Sequence, residues 1–286
     1  MCDQDHFGEE IEKFEKLGLV TRRQFGVFVA AGVCMTLPEV ANAAAVTESD
    51  VNIKTPDGTC DAYFVHPTSG AAPGVLMWPD VFGLRPAFRQ MAKRLAESGY
   101  AVLVINPFYR VKKAPTAAQG GATPPEQVRP LMAALNETTH KTDAKAFVAW
   151  LDSEPAVAKN KKIGTQGYCM GGPMAIRTAV VAPDRVGAVA TFHGAALVTD
   201  QPNSPHLEAA RTKSQFLIAI AMNDDERAPN DKNVLKDTLA KAKLPAEIEV
   251  YKGAHGWCPP DTRVYNQPEA ERAWSRLLVL YGKALA

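Results

Sequence analysis

The most constraining stretch of the 286-residue chain is Gly167-Tyr168-Cys169-Met170-Gly171-Gly172. It joins an expected strand, Lys162 to Gly167, to a segment with helical spacing, Gly172 to Val181. A strand that turns this abruptly into a helix crowds its own backbone. Glycines two residues before and two after the central side chain relieve that crowding and hold the side chain outward. The side chain here is a thiol. A helix N-terminus behind it favours the thiolate and leaves the Met170 N–H to hold an oxyanion. The competing reading is a buried structural cysteine beside a glycine turn.

The surrounding pattern predicts an α/β fold with a mostly parallel twisted sheet and helices on both faces. Short apolar runs alternate with longer periodic segments from about residue 50 onward. The expected strands are Cys60 to Val65, Gly74 to Trp78, Ala101 to Asn106, Lys162 to Gly167, Ala188 to Phe192, Phe216 to Ala221 and Glu247 to Tyr251. Runs such as Ala101-Val102-Leu103-Val104-Ile105 fit strands buried on both faces. Helical spacing appears in Phe88 to Glu97, Thr142 to Leu151, Gly172 to Val181, Asp231 to Ala242 and Glu269 to Ala284. The longest irregular stretch, Val111 to Pro130, is expected to form a lip over a cleft. With 46% apolar and 22% charged residues, disorder is excluded. The 32 basic and 31 acidic side chains leave no electrostatic footprint for nucleic acid.

Residues 1–45 read as an export leader and 46–286 as one catalytic domain. Arg22-Arg23 precedes a run without charge, Phe25 to Leu37, which is too short to remain as a membrane anchor. Ala41-Asn42-Ala43 offers small residues to a signal peptidase. The pattern predicts twin-arginine export to the periplasm or outside, with cleavage near Ala43 and no stable anchor afterward. Cys60, Cys169 and Cys258 then remain, so at least one thiol is free. Cys60 and Cys258 are the only pair that could bond without disabling Cys169.

A thiol nucleophile needs a base and a group to orient it, expected after the elbow in the order acid, then histidine. Of six histidines, His6 falls in the leader, and His66 and His140 precede the elbow. His193 and His206 follow it but precede the acid. His255 remains, directly after the strand Glu247 to Tyr251. The acid is expected just past Phe216 to Ala221, where Asp224 and Asp225 are both candidates. Counting from the strand end favours Asp224, and counting back from Pro229 favours Asp225. No H-E-x-x-H and no paired C-x-x-C occurs, so no metal is expected.

With these residues in place, the chain resembles the dienelactone hydrolase family of α/β hydrolases over most of residues 50–284. The carrying features are the cysteine elbow, Trp78-Pro79-Asp80-Val81-Phe82-Gly83, the Asp224/Asp225 turn and Ala254-His255-Gly256-Trp257. The resemblance implies lactone cleavage by Cys169, His255 and one of the two aspartates, without a cofactor. It also implies that Asp80 stands where the family has a glutamate that helps generate the thiolate. Val81 then supplies the second oxyanion N–H beside that of Met170. Arg110 matches a substrate-gripping arginine, and Pro259 occupies the place of a second one. The expected activity is hydrolysis of a small ester or lactone by a monomer or small homo-oligomer. A broader carboxylesterase or thioesterase is the alternative, as is a non-catalytic binding or redox-sensing member.

Overall fold

The computed structural model of the chain describes residues 36–117, 120 and 123–286. The twin-arginine pair and the uncharged run as far as Met35 lie outside the described residues. Among the described residues, no helix is long and apolar enough to cross a membrane.

Eight strands form one sheet: β1 (Val46–Thr55), β2 (Gly58–Pro67), β3 (Gly74–Trp78), β4 (Ala101–Ile105), β5 (Ile163–Tyr168), β6 (Val186–Phe192), β7 (Gln215–Ala221) and β8 (Ala246–Tyr251). Their spatial order is β1-β2-β4-β3-β5-β6-β7-β8. The β1–β2 and β2–β4 pairings are antiparallel, and every pairing from β4 through β8 is parallel. The helices are α1 (Pro86–Glu97), α2 (Pro125–Val128), α3 (Glu137–Ser153), α4 (Gly171–Val181), α5 (Pro205–Ala209), α6 (Met222–Arg227), α7 (Asp231–Lys241) and α8 (Gln267–Ala284). A 3-10 helix spans Arg129–Ala134.

Side-chain alternation on the central strands divides the core in two. Val75, Met77, Val102 and Val104 join Phe88 of α1 and Leu277 of α8 on one face. Leu76, Leu103 and Ile105 join Phe147 of α3 and Ile176 of α4 on the other. Strands covered on both faces must be apolar at every position, which explains their unbroken runs. Leu103 has no exposed surface, so truncating it to alanine costs about 2–5 kcal/mol.

All seven expected strands are present with ends shifted by a few residues, and β1 is an eighth that the pattern reading did not include. Only Ile53 of its ten residues is buried. An edge strand this exposed carries almost no hydrophobic signal. Cys60 and Cys258 are separate thiols in the two opposite core clusters. Burial pushes both thiols up, away from reactivity.

The lip is held to the domain rather than draped across it. Thr116 Oγ1 donates to the Phe82 carbonyl at 2.9 Å, and the Ala114 N–H donates to Asp61 at 2.7 Å. Val128 within it and Leu131 just after it belong to the same apolar cluster as Cys169. Ahead of β1, the Ala44 N–H donates to the Glu97 carbonyl at the end of α1, 2.9 Å. The expected cleavage site at Ala41–Ala43 lies next to this contact.

Candidate active site

In an open parallel sheet, functional groups gather where the strands end at their carboxyl side. Here β3 delivers Asp80 and Val81, β5 delivers Cys169, β6 delivers His193, β7 delivers Asp224 and β8 delivers His255.

Cys169 sits between the last residue of β5 and the first of α4 with φ at +53°, in the left-handed region. A non-glycine residue there is strained and persists only when its surroundings hold it. Its N–H donates to the Phe192 carbonyl at 3.1 Å, and its own carbonyl accepts from Gly172 and Ala195, each at 3.0 Å. The two flanking glycines are sterically required. A Cβ on Gly167 would lie 1.9 Å from the Gly171 carbonyl oxygen, and one on Gly171 would lie 2.4 Å from that of Trp78. The thiol is thereby fixed at the start of α4, with 7% of the residue exposed.

His255 is placed by a short network. Its Nδ1 lies 2.6 Å from Asp224 Oδ2, and its backbone N–H donates to Asn223 Oδ1 at 2.8 Å. The Met222 N–H donates to the Gly253 carbonyl at 3.0 Å, so the start of α6 and the histidine loop are joined twice. Asp225 turns away and pairs with Lys232 at 2.7 Å. The alternative that the residue spacing left open thus has a geometric answer: Asp224, not Asp225, is the carboxylate on His255. Asn223 was missed by motif reading, because a side-chain amide that holds a backbone N–H leaves no sequence signature.

His193 was set aside on chain order, yet it packs edge to face on His255 with ring centroids 5.0 Å apart. It is fully buried, and among the described residues neither ring nitrogen has a side-chain hydrogen-bond partner. Burial, and then the neighbouring His255, push its pKa well below the usual histidine range. It is a neutral wall behind the imidazole.

Two of the expected site residues stand in ion-pair clusters. The first is Asp80: Arg85 Nη1 reaches its Oδ1 at 2.6 Å and Nη2 its Oδ2 at 2.9 Å. The Phe82 N–H adds a further bond to Oδ1. Arg85 in turn donates to both oxygens of Asp261, at 2.7 and 2.9 Å. Its side chain has no exposed surface. The cluster clamps the Asp80–Arg85 loop, which carries Val81, to the loop after His255. It reaches the lip as well, where the Gly120 N–H donates to Asp261 at 2.8 Å. Burial is the largest influence on Asp80 and raises its pKa, while Arg85 works against that rise. The second is Arg110. It donates to Asp57 and Asp143 at 2.6–3.0 Å, so it faces the β1–β2 turn and α3 and is not held out to a ligand. Neither Asp143 nor Asp261 could be matched to its arginine from sequence, since 33 and 176 residues separate them.

Met170 precedes α4, whose first N–H groups have no intrahelical acceptor. Val81 occupies the second position of a turn closed by Gly83 N–H to the Asp80 carbonyl at 2.9 Å, a position whose N–H takes no part in the turn's own bond. No cluster of ligands suited to a metal ion occurs among the described residues.

Known proteins agree with this architecture. The carboxymethylenebutenolidase of Rhodococcus opacus is 29% identical over 258 residues, covering 85% of this chain and 96% of that protein. The crystal structure of dienelactone hydrolase from Anabaena variabilis superposes with a TM-score of 0.62 at 17% identity, over 84% of this chain and 99% of that one. The dienelactone hydrolase-like promiscuous phosphotriesterase P91 from metagenomic libraries gives 0.70 at 20% identity, over 85% and 100%. The model of the dienelactone hydrolase family matches residues 60–285, and the chain belongs to that family, with an α/β-hydrolase fold.

Proposed function

We propose that this hydrolase opens small lactones or cleaves small activated esters by acyl transfer through Cys169. One observation carries the reading: a strained cysteine at a helix N-terminus stands at the same carboxyl end of the sheet as a histidine whose Nδ1 lies 2.6 Å from Asp224. The carboxylate fixes the imidazole tautomer so that Nε2 can take the thiol proton.

In the first step the Cys169 sulfur attacks the carbonyl carbon, and its proton passes to His255 Nε2. The Met170 and Val81 N–H groups then hold the tetrahedral oxyanion. The C–O bond breaks, the leaving oxygen takes the proton from His255, and a thioester remains. Water attacks the thioester while His255 receives its proton, and the thiol is regenerated with the carboxylic acid. A thiolate departs more readily than an alkoxide, so the intermediate collapses forward only when the departing oxygen is also a good leaving group. That condition favours enol lactones and aryl esters over simple alkyl esters. No cofactor is required. The name of the Rhodococcus relative, a carboxymethylenebutenolidase, supports a lactone as the substrate class.

Export is part of the same proposal. Arg22-Arg23, the uncharged run and Ala41-Asn42-Ala43 direct a folded protein across the inner membrane with cleavage near Ala43. Replacing Arg22-Arg23 with two lysines should retain the protein inside the cell, and an unchanged distribution would end that claim.

The catalytic reading is tested with p-nitrophenyl butyrate. Cys169→Ala should lose at least about a thousandfold in kcat while keeping its circular dichroism. Folded Cys169→Ala within tenfold of the parent would overturn it.

A further inference from the structure

An arginine recognises a carboxylate through two parallel N–H groups, so its capacity to do so can be counted. Arg85 has five N–H donors, and the structure uses all of them: two on Asp261, two on Asp80 and one on the Gly83 carbonyl. Arg110 spends four on Asp57 and Asp143. Neither keeps a pair for a ligand. Arg227, on α6, lies 3.7 Å from Asp224 Oδ1 and so faces the carboxylate that serves His255.

The charges point the same way. Arg85, buried, and Arg110, partly buried, each stand between two carboxylates, so each cluster carries one net negative charge when its members are ionised. A proton on Asp80, toward which burial pushes it, brings the first cluster only to neutrality. In neither state does the loop carrying Val81 present a positive field. Cys169 belongs to the apolar core cluster that also holds Phe108, Leu131, Met170 and Leu197.

We infer that the cleft selects substrates whose acyl portion carries no charge, and that it discriminates against a carboxylate-bearing lactone of the kind named for the Rhodococcus relative. This rests on the acyl-transfer reading above. A carboxylate entering such a site loses water without gaining a guanidinium pair from Arg85 or Arg110, and it meets the net negative charge of their clusters. At effective dielectric constants near 20, one unit charge several ångströms away changes binding by roughly tenfold to a hundredfold.

The test compares 4-carboxymethylenebut-2-en-4-olide with its methyl ester, following loss of the ring chromophore at neutral pH and low salt. The expected result is kcat/KM at least about tenfold higher for the methyl ester, with the gap narrowing as salt is added. Asp57→Asn releases part of Arg110 at an exposed position, 45% of whose side chain is open to solvent. It should raise kcat/KM for the acid and leave the methyl ester within about twofold. Equal or faster turnover of the acid by the parent enzyme overturns the inference. If Arg227→Gln then removes that preference, Arg227 is the missing cation. If neither lactone opens, p-nitrophenyl butyrate against mono-p-nitrophenyl glutarate gives the same ranking, and faster turnover of the glutarate overturns the inference. Silence toward all four substrates overturns the acyl-transfer reading with it.

Discussion

Arg85→Met is the substitution whose consequences the structure specifies most fully. It removes a guanidinium with no exposed surface and leaves Asp80 and Asp261 facing each other in the interior. Four charge-assisted hydrogen bonds of 2.6–2.9 Å disappear at once. Breaking a buried ion pair from one side costs about 3–5 kcal/mol, because the remaining charge keeps its desolvation penalty. For a domain of this size each kcal/mol moves the melting midpoint by about 2–4 °C, so Tm should fall by about 6–20 °C. The deficit should also depend on pH. Without Arg85, the influences left on Asp80 are led by burial, which raises its pKa, and the lowering by the guanidinium is gone. A carboxyl whose folded pKa stands above its unfolded one binds its proton more tightly when folded, so stability falls as pH rises through that window. Urea unfolding at pH 5 and pH 8 should therefore show the larger loss at pH 8. The triple variant Asp80→Asn, Arg85→Met, Asp261→Asn removes all three charges and should recover most of the stability. A loss under about 1 kcal/mol for Arg85→Met, or a larger loss at pH 5, would refute the reasoning.

The two adjacent aspartates should separate cleanly in kinetics: Asp224→Asn is expected to lower kcat by about a hundredfold or more, and Asp225→Asn by less than about threefold, on p-nitrophenyl butyrate. Equal losses would show that the hydrogen bond to His255 is not what the reaction uses. Acid should destabilise the fold through two histidines buried neutral. Burial, then Arg177, lowers His140 to about 3, and burial, then His255, lowers His193 well below its usual range. Their depressed folded pKa values mean that the unfolded chain takes up protons first, so stability is lost as pH falls through about 6.5. His140 contributes about 2 kcal/mol of that loss between pH 7 and pH 5. Urea titrations of His140→Gln should show a shallower pH slope than the parent, and an unchanged slope would contradict the assignment.

What was legible in the sequence follows from which interactions are local. The strand Gly74–Trp78 and the elbow at Cys169 announce themselves through contiguous apolar residues and fixed glycine spacing. Tertiary contacts did not. β1 is exposed along most of its length, and the six-residue helix α6 looked like a charged turn because it has a single buried residue, Asn223. Chain order identified His255 correctly as the partner of an aspartate, yet the same ordering hid His193, whose importance lies in touching the His255 ring. Asp80 and Arg110 were assigned from motif position alone. Arg85 is a local partner of Asp80 that motif reading passed over, whereas Asp261 on Arg85 and Asp143 on Arg110 come from folding the chain back on itself, which position could not show.

The central claim is that Cys169 carries the acyl group. Mixing the protein with excess p-nitrophenyl butyrate, quenching in acid and mapping peptides by mass spectrometry tests it directly. The account predicts one butyryl group on the peptide containing Cys169, released by neutral hydroxylamine and absent from Cys169→Ala. Turnover by a protein that accumulates its adduct on another residue, or undiminished turnover by Cys169→Ala, would contradict it.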